Sequence, residues 1–96
     1  MTNDHDNEQL DALLDGIIPP ALARQPHERL TSYQHFLAYL RLGRTRGYGR
    51  LAALLQMDRR GIERLSARYR WVERAKVFDD LLAQAQLRDL LKEMAA

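Results

Sequence analysis

The chain has 96 residues, 15 basic and 13 acidic side chains for a formal net charge of +2, and no cysteine. That length suits one small domain with appendages and a modest core, and the lack of cysteine excludes disulfides, thiolate nucleophiles and zinc–thiolate sites. No apolar run approaches the ~20 residues that span a bilayer; the acidic N-terminus does not read as a signal peptide, so a cytoplasmic protein without a membrane partner is expected.

The first seven residues, MTNDHDN, are polar, and their Asp-His-Asp reads as a solvated tail rather than a metal site. From Glu8, Leu10, Leu13, Leu14, Ile17 and Ile18 recur at helical spacing, with Asp6 or Asn7 as cap and Pro19–Pro20 as the stop. The stretch to Arg29 reads as a linker, so residues 1–30 are expected to form an acidic arm whose apolar stripe docks on the domain or on another subunit. A second helix should start at Thr31 or Ser32, with Gln34 completing a capping box from Thr31. Its inward stripe would be Tyr33, Phe36, Leu37 and Leu40, and Gly43 its stop.

The stretch GRTRGYGR, residues 43–50, excludes regular helix over most of its length and carries three arginines. It lacks the preceding strand and Gly-Lys-Ser/Thr ending of a phosphate-cradling loop, so it reads as a basic turn or a simple connector. A short helix from about Tyr48 to Gln56 follows, with Leu51, Ala52, Leu54 and Leu55 as its apolar set. Met57 would plug the turn and Asp58 cap a helix starting at Arg59. In that helix Ile62, Leu65 and Tyr69 share one face, while Arg60, Arg64 and Ala67 lie opposite, with Glu63 and Arg68 at the margins. The last helix, about Val72–Met94, has Val77, Phe78, Leu81, Leu82 and Ala85 on one side and Leu87, Leu90, Leu91 and Met94 nearly opposite. The second set predicts self-association, unless a bend near Gln84–Gln86 folds both sets onto one core. Trp71 is expected to close the core, with Tyr69 beside it and its hydroxyl at the edge.

Charge is distributed unevenly along these elements. Residues 31–76 carry eleven basic side chains, ten of them arginine, against three acidic ones, whereas residues 1–30 carry six acidic and two basic and residues 77–96 four acidic and two basic. A basic middle between acidic ends predicts a polyanion-binding module, and arginine suits bidentate contacts with phosphate and guanine. Two helices, a tight turn and an outward arginine face form the arrangement that enters the major groove of DNA. The expected fold is therefore all-α: a helix-turn-helix core over residues 31–76, with the arm before it and an oligomerisation helix over 77–96. The candidate DNA contacts are Arg44, Arg46, Tyr48, Arg50, Arg59, Arg60, Arg64, Ala67 and Arg68, and the candidate oligomerisation residues are Leu87, Leu90, Leu91 and Met94. Gln56 occupies a turn position where glycine is common; a left-handed backbone would cost it about 1 kcal/mol, which predicts a looser turn. No paired carboxylates, serine–histidine–acid set or nucleotide loop has supporting context, so neither an enzyme nor a cofactor is expected.

The segment SARYRWVERAKVFDD, residues 66–80, after this helix pair resembles the N-terminal DNA-binding domain of bacteriophage terminase small subunits and related prophage helix-turn-helix proteins. The resemblance covers about residues 32–80 and rests on Tyr69, Trp71, Arg74, Ala75 and Phe78 together with the helix-turn-helix spacing. It implies recognition of double-stranded viral DNA at the start of packaging, a ring-like homo-oligomer, delivery of the DNA to a large ATPase–nuclease subunit, and contacts from Arg59, Arg60, Arg64 and Arg68. A small prophage transcription regulator and a helical protein-interaction adaptor are the alternative readings.

Overall fold

The computed structural model describes residues 18–95; the helix expected from Glu8, and the Asp-His-Asp stretch before it, fall on residues 1–17 and lie outside them. The described residues fold into four helices and no strands, an all-α architecture. These are α1 (Leu30–Arg41), α2 (Tyr48–Leu55), α3 (Arg59–Tyr69) and α4 (Trp71–Ala95), with a 3₁₀ turn at Gly43–Thr45 between the first two. No helix among the described residues is long and apolar enough to cross a membrane.

The core gathers where apolar faces of all four helices meet. Phe36, Tyr39 and Leu40 enter from α1, Leu51 and Ala52 from α2, Ile62 from α3, and Trp71, Ala75 and Phe78 from α4. Trp71 is fully buried, its ring centroid 5.9 Å from Phe36 and 5.3 Å from Tyr39, so it closes the core as expected, and its indole Nε1 makes no hydrogen bond. Tyr39, absent from the expected stripe, is buried with Phe36 and Leu40, because the face of α1 turned inward is wider than the i, i+3, i+4 set.

Four details differ from the sequence reading. Residues 19–29 are not a free linker. Leu22 and Glu28 are buried, and Tyr33 Oη donates to the Leu22 carbonyl at 2.6 Å. The expected capping box at Thr31 does not form, since α1 begins at Leu30 with Arg29 at its cap and no side-chain capping bond. Leu54 is 63 % exposed, because Leu51 and Leu55 point α2 at the core and Leu54 lies roughly 80° from their midpoint. The boundary after residue 76 also cuts through packed structure, as Phe78 is core and Leu81 and Leu82 pack against it.

Two left-handed residues set the path of α3. Gln56 (φ 54°, ψ 45°) ends α2, with its amide and that of Met57 reaching back to the Ala53 and Ala52 carbonyls. The turn is therefore tight despite the glutamine. Arg70 (φ 54°, ψ 49°) ends α3 and lets α4 start in a new direction one residue later. Asp58 stands at the cap position of α3 without a side-chain capping bond.

Candidate nucleic-acid interface

The face of α3 turned away from the core carries a cluster of exposed arginines. Ile62 and Ser66 are buried and Leu65 is partly covered, which fixes the helix about its axis. At about 100° per residue, Arg60, Arg64, Ala67 and Arg68 then fall on the far side, and all four are exposed. Arg60 and Arg64 have no ion-pair partner among the described residues, and Arg68 rests its guanidinium 5.4 Å from the Tyr69 ring centroid. Ala67 lies on the same side of the helix one turn beyond Arg64, where its small side chain leaves room for a flat edge to approach. Arg59 differs: its Nε donates to Glu63 Oε1 at 3.0 Å across one helical turn, and its Nη1 lies 3.8 Å from where a Cβ on Gly49 would sit. It bridges the beginnings of α2 and α3, next to exposed Arg50.

Two expected contacts are instead built into the fold. Arg46 has a side chain only 12 % exposed. It donates to the Tyr39 and Leu40 carbonyls, both at 3.0 Å, and takes Asp79 in a bidentate pair at 2.8 and 3.0 Å. These bonds use the last carbonyls of α1 and tie that end to α4, so Arg46 has little left for a phosphate. Tyr48 stacks on Tyr39 with centroids 5.9 Å apart, and its hydroxyl shares a 2.7 Å hydrogen bond with Ser66 Oγ. It holds α2 on α3 from within. Burial first, and Tyr48 second, raises the Tyr39 phenol above its ordinary pKa, while the nearby Arg46 charge opposes this.

Arg44 is exposed but borders another groove, between the end of α1 and the middle of α4, beside Asp79 and Leu82. Arg70 is a cation the sequence reading passed over. It sits with Arg68 on the lip of a cleft of about 610 Å³ that also includes His27, Tyr69 and Val77. With no glycine at the end of α3, nothing local in the sequence marks that reversal. The expected oligomerisation residues all lie on the distal half of α4 and are exposed: Leu87 54 %, Leu90 49 %, Leu91 55 % and Met94 73 %.

The outward face of α3 can thus offer guanidinium groups to an anionic, flat-edged ligand, flanked by Arg50 and Arg70. Among the described residues no group of three histidine or carboxylate side chains is placed to hold a metal ion. No family model matches the chain, and neither a curated protein nor a solved structure matches it.

Proposed function

We propose that the chain is a helix-turn-helix DNA-binding protein in which α2 and α3 form the motif and α3 reads the major groove. The observation that carries this reading is the unpaired row of Arg60, Arg64 and Arg68 with Ala67 among them, on the one face of α3 that the core leaves free. Arginine forks match guanine edges and phosphates, and an alanine can meet a thymine methyl. The left-handed turn at Gln56 supports the same reading, since it brings α3 back across α2 within three residues. Arg50 and Arg59 are assigned to backbone contacts beside the groove, and Arg46 and Tyr48 to holding the motif together. By resemblance over about residues 32–80, the DNA is viral and the protein is a small packaging subunit that works in several copies with a large ATPase–nuclease subunit.

Titration of duplex DNA at several salt concentrations tests this. With about five arginines on phosphates, log affinity should fall against log salt with a slope of about −4 to −5. Arg64→Ala should cost about 1–3 kcal/mol on a preferred site and little on random duplex. A folded protein that fails to bind duplex at low salt would overturn DNA binding, and equal losses on both DNAs would remove Arg64 from base reading.

A further inference from the structure

We propose that the cleft between residues 19–29 and the junction of α3 with α4 is a binding site for a small organic anion, a flat apolar body carrying one acidic head. Its volume of about 610 Å³ falls within the range of ligand pockets. Its walls are tied together. Arg74 holds the Ala21 and Ala23 carbonyls and the Glu28 carboxylate against α4, and the Tyr69 hydroxyl donates to the His27 carbonyl at 3.1 Å. Ala21, Pro26, Val77 and the Tyr69 ring give the cleft an apolar lining, while Arg70 and His27 stand exposed at its rim.

The backbone points the same way. Among the described residues, His27 (φ 65°), Gln56 (φ 54°) and Arg70 (φ 54°) are the non-glycine residues in the left-handed region, and two of these three line the same cleft. A glycine would take either position without the steric cost that a side chain brings, and non-glycine residues held there cluster at ligand clamps and similar sites. The fold itself does not use these two side chains: neither the His27 imidazole nor the Arg70 guanidinium makes a hydrogen bond or ion pair among the described residues. The rim also selects the ligand. The planar fork of Arg70 matches a carboxylate, and His27 keeps a ring N–H to donate in either protonation state. Glu73, an exposed carboxylate on the α4 side of the cleft, repels a second acidic group and so limits the ligand to one head. The apolar lining sets this ligand apart from a bare phosphate of the DNA backbone. Arg68, on the outer lip, is the cation that the cleft shares with the outward row of α3.

The probe 2-naphthoate has this form, and amide NMR of the full chain tests the site. It should bind with a dissociation constant of about 1 mM or tighter and shift the amides of residues 21–27 and 69–77. Inorganic phosphate, which has no apolar body, and 2-naphthalenemethanol, which has no charge, should each bind at least about tenfold more weakly. Arg70→Gly and His27→Gly should each raise the thermal midpoint by about 5 °C, by relieving the left-handed backbone, and yet weaken 2-naphthoate about tenfold. A residue with a purely structural role would not give that combination. Arg88→Gln, on the distal half of α4, should leave the binding unchanged. Four results would each overturn the proposal. They are no amide shifts at millimolar 2-naphthoate, shifts centred instead on residues 87–94, unchanged binding in both glycine variants, and a lower midpoint in both. Phosphate binding as tightly as 2-naphthoate would overturn it by giving the rim to the DNA backbone, and binding that weakens as chain concentration rises would do so by giving the cleft to a second copy. No measurement here involves DNA, so failure of this site and failure of the DNA reading are distinguishable.

Discussion

Arg74 is buried on the first turns of α4, and all five of its N–H donors are engaged. They reach Glu28 through two nitrogens at 2.9 and 3.2 Å and the carbonyls of Ala21, Ala23 and Tyr69, while the guanidinium carbon lies 3.9 Å from the Phe36 ring centroid. The pair is 6 % and 0 % exposed at its side chains. A buried pair does not imply a large net gain, but breaking it strands a charge. Arg74→Met should therefore cost about 3–5 kcal/mol in urea denaturation by leaving the Glu28 carboxylate unpaired. Arg74→Lys should recover little, because a single ammonium cannot replace the planar fork. A loss below about 1 kcal/mol for Arg74→Met would show that the loop over residues 19–29 is held by other contacts. Two tyrosines set a pH limit on the same core. Burial raises the phenols of both Tyr33 and Tyr39 above their ordinary value of 10.0, so the folded state holds those protons more tightly than the unfolded chain. The stability they contribute is intact below about pH 10 and is lost as pH rises through the raised values. Thermal unfolding followed from neutral pH upward should show a fall in midpoint that starts near 10 and weakens in Tyr39→Phe; an equal fall in that variant would assign the effect elsewhere.

The turn between α2 and α3 shows what a single residue contributes to an element. Gln56 adopts the left-handed region at φ 54°, where a side chain costs about 1–2 kcal/mol and glycine nothing. Gln56→Gly should raise stability by about 1 kcal/mol without moving α3, read as a higher urea midpoint at unchanged slope. Destabilisation by the same change would mean that the glutamine side chain makes an offsetting contact. The helices on either side were legible in the sequence because their signals are local: Ala52, Met57 and Ile62 stand at spacings that fit two packed helices joined by a short turn. The second apolar stripe of α4 was legible for the same reason, and an unbroken helix without proline or glycine carries it clear of the core. What escaped is pairing across distance. Nothing near Glu28 marks it as the partner of an arginine 46 residues on. Arg46 looks like its neighbours Arg44 and Arg50 until Asp79, 33 residues away, is brought beside it. Among the candidate DNA contacts, the row at Arg60, Arg64 and Arg68 followed from periodicity. Removing Arg46 and Tyr48 from that list required knowing which side chains the fold consumes.

For the molecule as a whole, the distal half of α4 has two apolar edges and more than one possible neighbour. On one edge Leu90 and Met94 stand open at 49 % and 73 % exposure. Large apolar side chains left in water forfeit about 1.5–3 kcal/mol each relative to burial, and two such residues on a projecting helix make a small adhesive edge. A contact between copies there would set several α3 faces around one DNA, and linked faces bind more tightly than single ones without any new contact. Light scattering at tens of micromolar should give a mass above that of one chain. Leu90→Glu with Met94→Glu should return it to one chain while leaving cooperative unfolding intact, since neither residue belongs to the core. Its affinity for long duplex should fall by about 10²-fold or more through lost multivalency, whereas affinity for a short duplex that admits one copy should hold. An unaltered chain that scatters as a clean monomer would remove the multi-copy reading and leave a DNA-binding domain that acts singly.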